Sequence, residues 1–323
     1  MELVTRQQFL EARENLASIV RHTPVIRSVG LSERTGGSVY LKLENLQYTG
    51  AFKFRGGYNK ISSLSKEERE RGIIAASSGN HAQGAALAAK KLGIHATILM
   101  PVHAPATKVA NTKGFGAEVV QYGEFYDETL AYAQELQQKN GSVLISSYND
   151  PKIIAGQGTI ALEMLEAVPD LDIIAAPIGG GGLISGIAAA AKQIKPDIRI
   201  IGVQTEGMPS MKKSKEAGRL VTVEGVPSLA DGIMVKTPGD ITLAHVLRYV
   251  DDIVTVSEEE IRQGICYLLK QEKQLAEGAG AAASAAILAG KIPGSGGKNI
   301  GAVVSGGNID MNTLADVLTS MQK

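Results

Sequence analysis

The sequence predicts an α/β protein, doubly wound around mostly parallel sheet, and three observations carry that prediction. Short β-branched, apolar runs alternate with longer alanine- and leucine-rich helical stretches along the whole chain. Several of the short runs are apolar on both faces, as strands covered by helices on both sides must be. Glycine-rich and polar clusters fall just after such runs, at the strand ends where open α/β sheets bind ligands. The length, 323 residues, suits two domains or one large α/β unit.

In chain order, the first twenty residues read as an amphipathic helix and lack the basic-then-apolar pattern of a signal peptide. Expected strands cover 39–43, 72–77, 96–100, 118–122, 142–146, 173–178, 199–204, 252–257 and 299–305. Expected helices cover 80–92, 126–139, 156–167, 183–195, 258–272 and 277–289. No solenoid or propeller period is present. The most apolar stretch, "IIAAPIGGGGLISGIAAAA", is broken by Pro177 and four glycines, so it is no bilayer span. Asn140-Gly141-Ser142 matches a glycosylation sequon but reads as a turn.

Composition removes several function classes. Lysine plus arginine equals aspartate plus glutamate at 33 each, which argues against a nucleic-acid or acidic-membrane binder. The single cysteine, Cys266, permits no intrachain disulfide and fits a reducing cytosol. The histidines show neither metal-ligand spacing nor a partnership with a serine nucleophile.

Four clusters carry candidate chemistry. In "TGAFKFRGG" (49–57), Phe52 and Phe54 flank Lys53 in a chain with five phenylalanines and no tryptophan. Desolvation and the nearby Arg55 are both expected to lower the lysine pKa, as a nucleophilic amine requires. In "PIGGGGLISG", a strand runs through Gly179, Gly180, Gly181 and Gly182 into a helix that begins near Leu183. Unhindered backbone N–H groups at a helix N-terminus suit a phosphate. The loop lacks the Lys-Ser/Thr of a P-loop and the third glycine of the dinucleotide fingerprint, which removes a nicotinamide dehydrogenase. In "SSGNHAQG" (77–84), Ser77, Ser78 and Asn80 are candidate caps for a helix starting near His81, and the same donors suit a carboxylate. In "VVSGGNID", Ser305 ends a strand and offers a neutral hydroxyl to a heterocyclic nitrogen. A cofactor with an aldehyde, a phosphate and a pyridine nitrogen uses the first, second and fourth clusters, and the third then holds an amino acid. Pyridoxal 5'-phosphate has those groups.

With these residues in view, the chain resembles the fold-type II (tryptophan synthase β-like) pyridoxal-phosphate enzymes of the threonine dehydratase and serine racemase group. The likeness runs from "RHTPVIRS" (21–28) to "SGGNID" (305–310). It includes "KLENLQYTGAFKFRGG", "SSGNHAQG", "IAGQGTIALE", "GGGGLISG", "LADG" (229–232) and "EGAGA" (277–281). It implies two doubly wound α/β domains with the cofactor between them. The large cofactor-binding domain would be 1–47 and 148–323 and the small substrate-side domain 48–147, with no C-terminal regulatory domain. Lys53 would bind the cofactor covalently, Phe52 would lie beside its ring and Asn80 would contact its 3-hydroxyl. Gly179, Gly180, Gly181, Gly182 and Leu183 would hold its phosphate, and Ser305 would face its ring nitrogen. Ser77, Ser78, Asn80 and His81 would hold the substrate carboxylate. The resemblance also implies a cytoplasmic homo-oligomer, a dimer or tetramer, acting on a small amino acid without nucleic-acid or membrane partners.

The implied reaction is β-elimination of L-threonine, and of L-serine, to a 2-oxo acid and ammonia. The alternative is a racemase, or a β-eliminase on another hydroxy amino acid. Threonine dehydratases usually read Ser-Ala-Gly-Asn-His where this chain has Ser77-Ser78-Gly79-Asn80-His81. The second serine is the racemase pattern, where its hydroxyl serves as acid or base opposite the lysine. The racemase metal ligands after the "IIGV" strand are not matched by Gln204 or Glu206, and Leu130 stands near the place of a racemase arginine. No metal is therefore expected, and the dehydratase reading leads. A non-catalytic binder of a phosphorylated ligand is disfavoured by the presence of Lys53.

Overall fold

The computed structural model describes residues 3–320. Among the described residues ten strands build two sheets: β1 (Val25–Ser28), β2 (Ser38–Leu43), β3 (Ile73–Ala76), β4 (Ala96–Met100), β5 (Glu118–Gln121), β6 (Val143–Leu144), β7 (Ile173–Pro177), β8 (Arg199–Thr205), β9 (Asp252–Val256) and β10 (Asn299–Val304). The larger sheet has the order β1-β2-β10-β7-β8-β9 and the smaller one β5-β4-β3-β6. Every neighbouring pair is parallel except β1 with β2. The fold is thus the expected α/β type. β3 and β7 are buried at every position, which explains their unbroken apolar sequences. β1 is absent from the expected strands. It is four residues long, follows Pro24 and sits at an edge, so it carries little alternation to recognise. The expected 142–146 strand shrinks to two residues.

Helices cover both sheets. The first, Arg6–Leu16, starts at a capping box made by Thr5 and Gln8 and buries Phe9, Ala12 and Leu16. Burying a phenylalanine contributes about 2 kcal/mol. Space for Phe9 comes from Gly158, where a Cβ would stand 2.3 Å from the ring. The helix expected from 156 begins earlier, spanning Pro151–Ala167, because Asp150 accepts from Lys152 N–H and Ile153 N–H and Pro151 occupies the first turn. Asn140-Gly141-Ser142 closes the helix Tyr126–Asn140, with Gly141 at φ 71° and Ser142 N–H donating to Asn140 Oδ1. Among the described residues no helix is long and apolar enough to cross a membrane.

A buried ion cluster lies behind the helix Lys53–Ser62. The Arg55 side chain is fully buried. It donates Nε–H to Glu44 Oε2 (2.8 Å) and Nη2–H to Glu44 Oε1 (2.9 Å). It also reaches both carboxylate oxygens of Glu163 (2.6 and 2.9 Å). Lys42, equally buried, bonds to Glu163 and to Thr23 O, and Thr23 Oγ1–H donates to Glu44. Two cations thus meet two carboxylates. Burial works to raise the Glu44 pKa, but Arg55 and then Lys42 outweigh it and hold the carboxyl below its usual range. The cluster joins β2, the helix Lys53–Ser62 and the helix Pro151–Ala167. It tolerates no missing partner, because an unpaired buried charge is costly.

Glu44→Ala should therefore lower the unfolding free energy of the apo-protein by about 3–5 kcal/mol, measured by urea titration. A loss below about 1 kcal/mol would show that water replaces the carboxylate at no great cost.

Candidate functional site

Lys53 is the first residue of its helix, which is held by close backbone contact. A Cβ on Gly56 would lie 2.9 Å from Ile153 O, and one on Gly156 would lie 2.7 Å from Gly56 Cα. The second half of "FRGG" is thus explained by helix crossing. Just before Lys53, Phe52 N–H donates to Ser305 O (3.1 Å) and Ala51 pairs with Gly306. The lysine segment is therefore pinned to the end of β10. Lys53 Nζ donates to Ser147 O (2.7 Å) and lies 5.2 Å from the centre of the Phe52 ring. The residue keeps some exposure, yet desolvation lowers its pKa to about 8. Arg55, expected to contribute, does not. Two residues along a helix point to nearly opposite sides, and Arg55 spends its charge on Glu44 and Glu163.

The glycine loop follows β7. Gly181 adopts φ +99° and caps the helix Gly182–Ile194 without a side-chain bond. Among the described residues, the N–H groups of Gly179, Gly180, Gly181, Gly182 and Leu183 have no protein acceptor. The loop carbonyl of Gly180 is tied down instead, accepting from Thr242 Oγ1–H (2.6 Å). A Cβ has no room here: at Gly180 it would lie 2.3 Å from the Tyr148 ring, at Gly182 2.9 Å from Tyr148 Cα. Ser147 and Tyr148 thus link the amine of Lys53 to this loop.

The "SSGNH" turn departs from the expectation that Ser77, Ser78 or Asn80 caps the helix. The helix is Asn80–Leu92, its cap is Gly79, and no side chain caps it. Ser77 Oγ accepts from Gly79 N–H within the turn (3.2 Å). Asn80 already lies inside the helix, so its amide points across the cleft: Nδ2–H donates to Glu277 Oε1 (2.6 Å) and Oδ1 accepts from Asn308 Nδ2–H (2.8 Å). Ser78 is half-buried and its hydroxyl has no protein partner among the described residues. His81 is buried, its Nε2 lies 3.0 Å from Ile145 O, and burial plus the nearby Lys53 push its pKa down to about 3. It is a neutral imidazole that donates to a carbonyl, not a proton shuttle. Ser305 is buried, and its hydroxyl donates weakly to Ala279 O (3.4 Å).

The structure thus gathers Lys53, Phe52, Asn80, Ser305 and the glycine loop at the carboxyl ends of strands from two sheets. Sequence reasoning passed over Ser147, Tyr148, Asn308 and Glu277. Glu277 opens the quoted "EGAGA" without being given a role there, and it is a carboxylate heading an otherwise apolar helix, Gly278–Leu288.

Comparison with known proteins gives one picture. The family described as "Pyridoxal-phosphate dependent enzyme" matches residues 16–306. The chain is 51% identical to the L-threonine ammonia-lyase of Thermotoga maritima over 316 residues, covering 98% of this chain and 78% of that one. The structure is similar to that of maize serine racemase, with a TM-score of 0.93, 37% identity and coverage of 99% and 98%. It is also similar to processed threonine deaminase isoform 2 of Solanum lycopersicum, with a TM-score of 0.92, 36% identity and coverage of 97% and 87%.

Gly181→Ala forces a side chain into the left-handed region, 2.8 Å from Thr242 Cβ. It should weaken binding of a phosphate ester at least about tenfold by calorimetry, because one misaligned charge-assisted hydrogen bond is worth that much. Gly79→Ala, with open space at its Cβ, should leave phosphate binding unchanged. Equal binding by all three proteins would remove the loop from the site.

Proposed function

We propose, since this chain belongs to the pyridoxal-phosphate-dependent enzyme family, that it converts L-threonine, and L-serine, to 2-oxobutanoate or pyruvate plus ammonia by β-elimination. One observation carries the reading: a lysine of lowered pKa stands beside a loop of unclaimed N–H groups, in a chain half identical to an L-threonine ammonia-lyase. The residues fit the cofactor. Lys53 offers the amine, Gly179 to Leu183 offer donors at a helix N-terminus for the phosphate, and Ser305 offers a hydroxyl for the ring nitrogen. Phe52 supplies an apolar flank, and Asn80 supplies an amide hydrogen for the 3-hydroxyl.

When bound, pyridoxal phosphate supplies an aldehyde that captures amines and an electron-poor ring that acidifies the Cα–H of a captured amino acid. The protein does the rest. At a pKa of about 8, about one Lys53 amine in ten is uncharged at pH 7, against about one in three thousand for an ordinary lysine. Lys53 would therefore be the attachment point for the aldehyde, and its amine, when free, would be the base for the Cα proton of the bound amino acid. The Ser77–His81 turn directs backbone donors at the substrate carboxylate, with Ser78 and Asn80 beside it. His81 stays neutral and does not compete for the proton. The Ser305 hydroxyl would hydrogen-bond the ring nitrogen but is far too weak an acid to protonate it, as a carboxylic acid would. An unprotonated ring would be a weaker electron sink, and Ser305 would thereby favour loss of the β-hydroxyl over transamination.

A second reading, amino-acid racemisation, is favoured by Ser78, whose half-buried hydroxyl is uncommitted, and by the likeness to maize serine racemase. The proposed function also includes residues 1–47 and 148–323 as the cofactor-binding domain, residues 48–147 as the substrate-side domain, a homo-oligomeric assembly and a cytoplasmic location. The last is supported by the single, buried Cys266.

Lys53→Ala, reconstituted with pyridoxal phosphate, should lose the yellow absorbance of the bound cofactor and more than about 1,000-fold in 2-oxo acid formation. Retained turnover would refute its role. Ser78→Ala should keep most of the elimination and lose any inversion at Cα. Equal loss of both would deny it a separate role on the second face.

A further inference from the structure

Glu277 precedes the helix Gly278–Leu288 but does not cap it with its side chain. It is only 6% exposed, and its carboxylate turns toward the helix Asn80–Leu92, where it accepts from Asn80 Nδ2–H at 2.6 Å. The other end of the same amide, Asn80 Oδ1, accepts from Asn308 Nδ2–H at 2.8 Å, and Asn308 is itself tied to Thr49 O at 2.8 Å. Glu277 N–H donates to Gly306 O, and a Cβ on Gly306 would lie 2.4 Å from Glu277 Oε1 and 3.2 Å from Asn80 Nδ2. The glycine after Ser305 is thus what lets this carboxylate and amide meet.

A primary amide has nearly the same shape either way round, so its partners decide which end faces where. An ionised carboxylate only accepts, so it demands the NH2 end of Asn80. Asn308 supplies a donor for the oxygen end. Among the described residues one Asn80 N–H remains unassigned, and it is the group left to face a ligand. We propose that Glu277 is a positioning residue that fixes the Asn80 amide so that it donates, and never accepts, toward the phenolic oxygen of the bound cofactor. This rests on the functional reading above.

The environment makes the device pH-dependent. Burial raises the Glu277 pKa to about 7, and Asp231 adds to the rise. The bond from Asn80 and the charge of Lys108 act in the opposite direction. Asp231 and Lys108 pair with each other at 3.0 Å across the cleft, and the neighbouring His81 is neutral. Below about pH 7 Glu277 carries a proton, can donate to Asn80 Oδ1 and competes with Asn308, so the preference is lost. The sign for stability is the reverse. A carboxyl whose folded pKa lies above its unfolded value stabilises most at low pH, and that contribution is lost as pH rises through about 7.

The test is a titration of apo-protein with pyridoxal phosphate at pH 6 and pH 8, following affinity and the absorbance of the bound cofactor, with the apo-protein melting temperature recorded alongside. For Glu277→Gln, affinity at pH 8 should fall at least about tenfold, the value of one charge-assisted hydrogen bond. The part of the wild-type loss between pH 8 and pH 6 that Glu277 causes should vanish, the bound-cofactor absorbance should shift, and the melting temperature at pH 8 should hold or rise. A merely structural Glu277 would lower the melting temperature and leave the spectrum unchanged. Wild-type affinity and spectrum in Glu277→Gln at both pH values would overturn the proposal. Asn308→Ala, which removes the opposite tether, should weaken binding while keeping the pH step, and wild-type affinity there would overturn it equally. A wild-type protein that binds no pyridoxal phosphate would instead defeat the functional reading itself.

Discussion

Arg55, sealed from water between Glu44 and Glu163, is the constraint on which the site depends. Its guanidinium faces away from the cleft, yet it fixes the first turn of the helix that begins at Lys53. A bidentate grip on Glu44 and a fork onto Glu163 leave it little rotational freedom. Lys42 balances the remaining carboxylate charge, so two positive groups meet two negative ones, of which only Glu163 keeps a small exposure to solvent. Such clusters are poor sources of net stability, because desolvation offsets much of the attraction. What they supply is position: the arrangement is costly in any other geometry.

Around that anchor the cleft uses burial to choose protonation states. The same desolvation that frees the Lys53 amine keeps the His81 ring neutral and raises the Glu277 carboxyl toward pH 7. The Lys53 amine is thus eased toward its uncharged form and His81 is left a weak base, while donors accumulate on backbone N–H groups that carry no titratable charge. The glycine loop and the helix behind it place those donors without a cation. Both sheets contribute through strand ends, so small relative movements of the sheets would change the spacing of lysine, turn and loop together.

Much of this was legible in the sequence, for physical reasons. The parallel strands are apolar on both faces, so β3, β7 and β10 announce themselves. The glycine loop does so because four consecutive glycines exceed what a turn requires, and Lys53 stands out by its aromatic flanks. What stayed hidden depends on distant partners. Arg55 reads as a local cation near Lys53 until Glu163, 108 positions away, claims it. Ser77 and Asn80 have the composition of helix caps, but Gly79 takes the cap position and Asn80, the first helical residue, reaches Glu277, 197 positions on. β1 is too short and too near the edge to show a period.

The central claim is that this cleft directs a captured hydroxy amino acid to elimination. The most direct measurement is a paired assay of the purified holo-protein with L-threonine, L-serine and D-serine, following 2-oxo acid formation and substrate chirality together. The arrangement of Lys53, Ser305 and the Ser77–His81 turn predicts rapid 2-oxo acid release from L-threonine with little inversion of any substrate. Inversion of serine that outpaces 2-oxo acid release would contradict it and make Ser78 the residue that decides the outcome.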